Sequence, residues 1–161
     1  MKTPIATLVR SLLGWGMHFM WADTLLTAEQ GHLLRLLAWG AMSVLVGSAL
    51  LAWLRAGRRA SPLLEHFAIQ TAAWGAVDLA IAAIARRSLV PRDVAAATRL
   101  DRVLWLNIGL DVGYALVGIT LIIAGWRLGR RLGLVGAGLG VVVQGVALVV
   151  LDLLLASQIS R

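Results

Sequence analysis

The chain has 161 residues, of which 60% are hydrophobic and only 14% charged, and its mean hydropathy is +0.84; soluble domains are about 45–50% apolar. A soluble domain of this length buries only part of its apolar surface, so the composition excludes one and points to an integral membrane protein. The net charge of +7 comes from 14 Arg and one Lys against eight acidic residues. It reads as headgroup attraction between apolar segments, not as a nucleic-acid face, because no recognition motif or basic face interleaved with aromatics is present. With no Cys in the chain, disulfides, thiolate catalysis and Cys-ligated metals are excluded.

In chain order, residues 1–30 read as an N-terminal amphipathic segment and residues 31–161 as a domain of four transmembrane helices. From Pro4 to Trp21 the polar residues Thr7, Arg10, Ser11, Gly14 and His18 recur at helical spacing, with Leu8, Leu12, Trp15 and Phe19 on the opposite side. That pattern predicts a helix lying in the interface, with Trp15 and Trp21 at headgroup depth. Arg10 and Ser11 interrupt the apolar run and no small-residue cleavage site follows, unlike a signal peptide. A span needs roughly 20 apolar residues, and four stretches qualify: Leu33 to Ala56, Pro62 to Ala85, Val103 to Trp126 and Leu132 to Ala156. Thr27 with Gln30 forms a capping-box signature that predicts a start near Ala28 for the first helix. Ser61 and Pro62 cap the second. Pro91-Arg92-Asp93 predicts that the third begins before the membrane, and Gly129 and Gly133 bracket the turn into the fourth. Arg residues flank the spans on both sides, so the positive-inside rule gives no orientation.

Small residues let membrane helices approach closely. Candidates are Ser43 and Gly47 on the first span, Ala72, Ala76 and Ala80 on the second, Gly109 and Gly113 on the third, and Gly136 and Gly140 on the fourth. Together they predict a compact four-helix bundle.

The informative residues are the polar ones inside the spans. The second span carries His66, Gln70, Trp74 and Asp78, each four apart; the third carries Asn107, Asp111 and Tyr114; the fourth carries Gln144 and Asp152. The third-span set falls within about 60° of one helix face. Counting rise per residue, Asp78, Asn107, Asp111 and Asp152 share one layer, with Gln70, Trp74, Tyr114 and Gln144 nearer mid-membrane. An ionised Asp in hydrocarbon costs about 2.5 kcal/mol or more. The layer is therefore protonated, paired with an Arg reaching in from the loop of residues 86–102, or occupied by a cation or polar ligand. Polar side chains also knit membrane helices together with no ligand at all, contributing about 0.6 kcal/mol each. His18, His32 and His66 show no metal-ligand spacing.

Three patches carry a family resemblance: His66-Phe67-Ala68-Ile69-Gln70 leading to Ala73-Trp74-Gly75-Ala76-Val77-Asp78, then Asn107-Ile108-Gly109-Leu110-Asp111-Val112-Gly113-Tyr114, then Gln144-Gly145 leading to Asp152-Leu153. Over residues 33–156 the chain resembles an uncharacterised bacterial family of small four-span membrane proteins. Where relatives tend to carry Asn, this chain has Asp78, which adds a carboxylate to the layer. The resemblance implies the fold and singles out these positions; it implies no activity.

The expectation is an all-α integral membrane four-helix bundle in a bacterial inner membrane. Its polar residues Gln70, Trp74, Asp78, Asn107, Asp111, Tyr114, Gln144 and Asp152 are structural or bind a small ligand, without catalysis. No cofactor or metal is assigned. Two alternatives are an accessory subunit of a respiratory or photosynthetic complex and an ion or proton pathway. The expected partners are the lipid bilayer and either other membrane subunits or further copies of the chain, with no nucleic acid.

Overall fold

The structure, a computed structural model, describes the backbone of residues 4–159 and the side chains of residues 22–159. It is built of four helices: α1 (Pro4–Ala56), α2 (Pro62–Arg87), α3 (Val94–Arg127) and α4 (Leu132–Ile159). Each contains a stretch long and apolar enough to cross a membrane, beginning at Ala22 in α1. Their outward faces carry Leu45, Ile84, Leu106, Leu116 and Val150, all exposed. So much continuous apolar surface suits lipid and not water. The chain is a membrane protein.

The predicted helix ends largely coincide with the observed ones, because their caps are local chemistry. The Ser61 hydroxyl accepts from the Leu64 N–H, with Pro62 in the first turn. The Asp93 carboxylate accepts from the Ala96 N–H at 2.7 Å, which starts α3 ahead of the membrane as expected. Gly129, at φ +80°, and Arg130, at φ 57°, turn α3 back into α4; glycine adopts that left-handed conformation without strain. The predicted helix start near Ala28 is not observed. Helix α1 runs unbroken through it, and the Thr27 hydroxyl donates instead to the Asp23 carbonyl one turn back, at 2.9 Å. Thr, Ser and their neighbours can bond to a carbonyl within a helix as readily as they cap one. The expected orientation of the Pro4–Trp21 faces, and the depth of Trp15 and Trp21, concern side chains outside the described residues.

Packing makes two hairpins, α1 with α2 and α3 with α4, joined by α4 lying against α2 and α1. Small residues set the crossings. A Cβ on Gly47 would stand 2.6 Å from the Ala68 carbonyl oxygen, and one on Gly75 would stand 2.7 Å from Ser43 Cβ. Gly118 and Gly138 face each other where α3 crosses α4, and Gly136 meets the Leu63 carbonyl of α2. Four expected positions differ. Gly109 and Gly113 have nothing within 4 Å, and Ala76 and Ala80 are exposed. The stripe on α2 that packs is Ala68, Ala72 and Gly75. Among the described residues, α3 makes no close backbone approach to α2 or α1. That leaves a cleft between α2 and α3, floored by α1 and α4.

Candidate functional site

The cleft encloses about 460 Å³. One end lies at the loop joining α2 to α3, where Glu29 and Arg92 line it; the other lies at mid-membrane, where Trp74 and Tyr114 line it. Those two rings touch across the gap, with centroids 5.3 Å apart and planes tilted by 60°. Behind them, against α4, lies a small void of about 10 Å³ lined by Val141, Gln144, Gly145 and Leu148. Its walls are mainly apolar and include Val77, Ile81, Val103, Leu110 and Leu148.

Polar side chains are spaced along it in three stations. Deepest is an amide relay: Trp39 Nε1 donates to Gln144 Oε1 at 3.1 Å, and Gln144 Nε2 donates to Asp78 Oδ2. Asp78 is almost wholly enclosed, at 2% exposure. Next, His32 Nε2 lies 3.5 Å from Asp152 Oδ1, and its Nδ1 is 3.3 Å from the Leu151 carbonyl oxygen. At the loop end Arg92 grips Glu29 with two parallel hydrogen bonds, Nε to Oε1 at 2.6 Å and Nη2 to Oε2 at 2.8 Å. Glu29 is buried, and its carboxylate holds the loop residue Arg92 above the ordinary guanidinium range, opposed by partial burial.

Asp111 sits between the first two stations, within electrostatic reach of Asp78 and of Asp152. Its side chain borders the cleft. The residue is 7% exposed and has no hydrogen bond or ion pair among the described residues. Asn107 and Tyr114, one helical turn to either side, also line the cleft but are exposed. The predicted α3 stripe thus faces the cleft as a set, while only Asp111 is buried.

The single predicted layer of Asp78, Asn107, Asp111 and Asp152 is drawn out along the cleft. Asp78 bonds to Gln144, eight residues from Asp152 on α4 and so about 12 Å away along the axis, whereas Asp152 pairs with His32. Gln70 is not brought to the site: its side chain packs over Gly140, where a Cβ would stand 2.8 Å from Gln70 Cβ. His66 likewise packs on Gly133, outside the cleft. The sequence reading missed Trp39, His32 and Glu29, all on α1. Glu29, His32, Leu33 and Leu36 follow the i, i+3, i+4, i+7 spacing of one helix face, a signal split by ending the N-terminal segment at residue 30 and counting the first span from Leu33. It also missed that Arg35 Nε and Nη2 are buried with no partner among the described residues. Among the described residues no three His, Asp or Glu side chains lie close enough to hold one metal ion.

No curated protein and no solved structure matches the chain. One family model does, over residues 35–153, which takes in all three motif patches and every polar cleft residue but Glu29 and His32. The four-span membrane protein with this cleft belongs to the family of unknown function DUF6992.

Proposed function

We propose that the protein holds a small ligand in this intramembrane cleft and does so without chemical turnover. Asp111 carries the reading. A polar residue kept only to knit helices together is satisfied by its neighbours, as Asp78 and Glu29 are. Asp111 is also largely enclosed, at 7% exposure, yet has no hydrogen bond or ion pair among the described residues, so that its carboxyl faces the cleft in surroundings where an unsatisfied polar group costs a few kcal/mol. Its presence is accounted for by something that enters the cleft. The volume of about 460 Å³ falls within the ~300–1,000 Å³ of small-molecule sites, which are typically apolar with a few polar groups. The Trp74–Tyr114 ring pair set across the mid-membrane end suits a binding site better than a through-pathway. Catalysis would need a base aimed at a reacting group, and His32 is already engaged by Asp152 and the Leu151 carbonyl.

The test is thermal unfolding of the protein in phosphatidylcholine nanodiscs with octylamine, octanol and octanoate. The reading expects saturable stabilisation by at least one of them, abolished by filling the cleft wall with Val77→Trp or Leu110→Trp. These two positions are already partly exposed, so the larger rings leave the helix packing intact. Equal responses of the parent and both variants to all three compounds would reject it.

A further inference from the structure

The chemistry of the cleft restricts what it can hold, and the restriction rests on the reading of the cleft as a ligand site. Four acidic side chains border it: Glu29, Asp78, Asp111 and Asp152. The basic groups are Arg92, spent on both oxygens of Glu29, and His32, placed on Asp152. Acids outnumber bases along the lining whether or not His32 is protonated, and Arg35, which acts on His32 from the same helix, does not line the cleft, so the lining disfavours an anionic occupant. A chelated metal ion is disfavoured by spacing. Divalent cations take oxygen ligands at roughly 2.0–2.6 Å, and no three of these groups gather that closely. What remains are acceptors spread along an apolar trough, with Asp111 largely enclosed, without a partner among the described residues, and bordering it.

We infer that the ligand is an organic primary ammonium ion with a short apolar body, whose N–H groups are received by Asp111. An ammonium carries three donors. A carboxylate without a partner accepts them as charge-assisted hydrogen bonds, which are about twice as strong as neutral ones. The amide of Asn107, also on the cleft wall and without a hydrogen bond among the described residues, offers a further acceptor one turn away. The apolar body lies against Val77, Ile81 and Leu110, and the Trp74 and Tyr114 faces add attraction for the cation. A quaternary ammonium would gain the aromatic contact but could give Asp111 no N–H.

Four probes that share one alkyl chain separate these contributions: octylamine, octyltrimethylammonium, octanol and octanoate, titrated into nanodiscs near neutral pH. Octylamine, protonated there, is expected to bind saturably and at least about tenfold more tightly than the other three, the difference one charge-assisted hydrogen bond makes. Asp111→Asn is expected to remove that advantage while leaving the weak response to octanol unchanged. If octanol or octanoate binds as tightly as octylamine, and Leu110→Trp blocks it, the ammonium inference fails and the cleft still stands as a ligand site. If octyltrimethylammonium matches octylamine, the role of the N–H donors fails and the inference with it. If none of the four binds saturably, both the inference and the ligand reading fall. The comparison among probes on the parent protein needs no variant, so misfolding of Asp111→Asn would not spare the inference.

Discussion

At the scale of single residues, Asp111 and Gln144 make opposite contributions although both are buried polar side chains inside the spans. Gln144 joins two partners, the Trp39 N–H and the Asp78 carboxyl. Gln144→Leu leaves both unsatisfied and is expected to destabilise the protein by about 1–3 kcal/mol, read as a lowered unfolding temperature in nanodiscs. Asp111 has no hydrogen-bond partner to lose among the described residues. Asp111→Leu removes an unsatisfied polar group and is expected to leave the unliganded protein as stable as the parent or more so, while abolishing octylamine binding. A stabilised but inactive variant is what a site that trades stability for function yields. A marked loss of stability in Asp111→Leu would mean that the residue is structural. Asp111 was legible in the sequence because a carboxyl in the middle of an apolar span stands out at once. Trp39 was not. An indole in an apolar run is indistinguishable from a lipid-facing one until the acceptor for its N–H is known, and that acceptor is 105 residues away.

Between elements, glycine separates what spacing reveals from what only a partner reveals. Gly113 and Gly136 belong to identical small-x3-small patterns. Gly136 lies against the Leu63 carbonyl, whereas Gly113 has open space around it. Gly136→Ala is expected to push α4 from α2 and cost about 1–3 kcal/mol. Gly113→Ala, on an open helix surface, is expected to be neutral or to stabilise by up to about 1 kcal/mol. Comparing their denaturation midpoints in one detergent checks both. Helix ends were legible because Ser61, Pro62 and Asp93 act on backbone groups within three residues. The start of α1 was not, since the Thr27–Gln30 signature is equally compatible with the middle of a helix. Glu29 was concealed by the segment boundary at residue 30, which set it apart from the first span, and with it the clamp that ties the loop before α3 to α1. Arg92→Ala strands the Glu29 carboxylate at 5% exposure, and breaking one side of a buried pair is the costly change. A loss of about 2 kcal/mol is expected, recovered in large part by adding Glu29→Gln; failure of that rescue would show that Arg92 acts through some other contact.

For the whole molecule, four crossings put both Arg-rich turns on one face of the membrane and the loop between α2 and α3 on the other. The loop end of the cleft therefore opens on the face opposite the turns. The hydropathy of the chain made the number of crossings legible. It did not show that α3 stands apart from α2, because nothing in an apolar period says which neighbour a helix will choose. The absence of Cys from the sequence makes this arrangement directly measurable. Arg58→Cys and Arg130→Cys, both exposed in the turns, should react with a membrane-impermeant maleimide from the same side of sealed vesicles. Ser88→Cys, exposed after α2, should react only from the other side. Across the cleft, Val77→Cys with Leu110→Cys should resist direct oxidation, since α2 and α3 have no Cα pair within 8 Å and a disulfide requires less than about 7 Å. A flexible bismaleimide that spans the gap should join them. Octylamine at saturation should slow that joining by filling the space between the two thiols. Rapid disulfide formation in the empty protein would mean that α2 and α3 close on each other in the membrane, and that the cleft is not a standing feature of the fold.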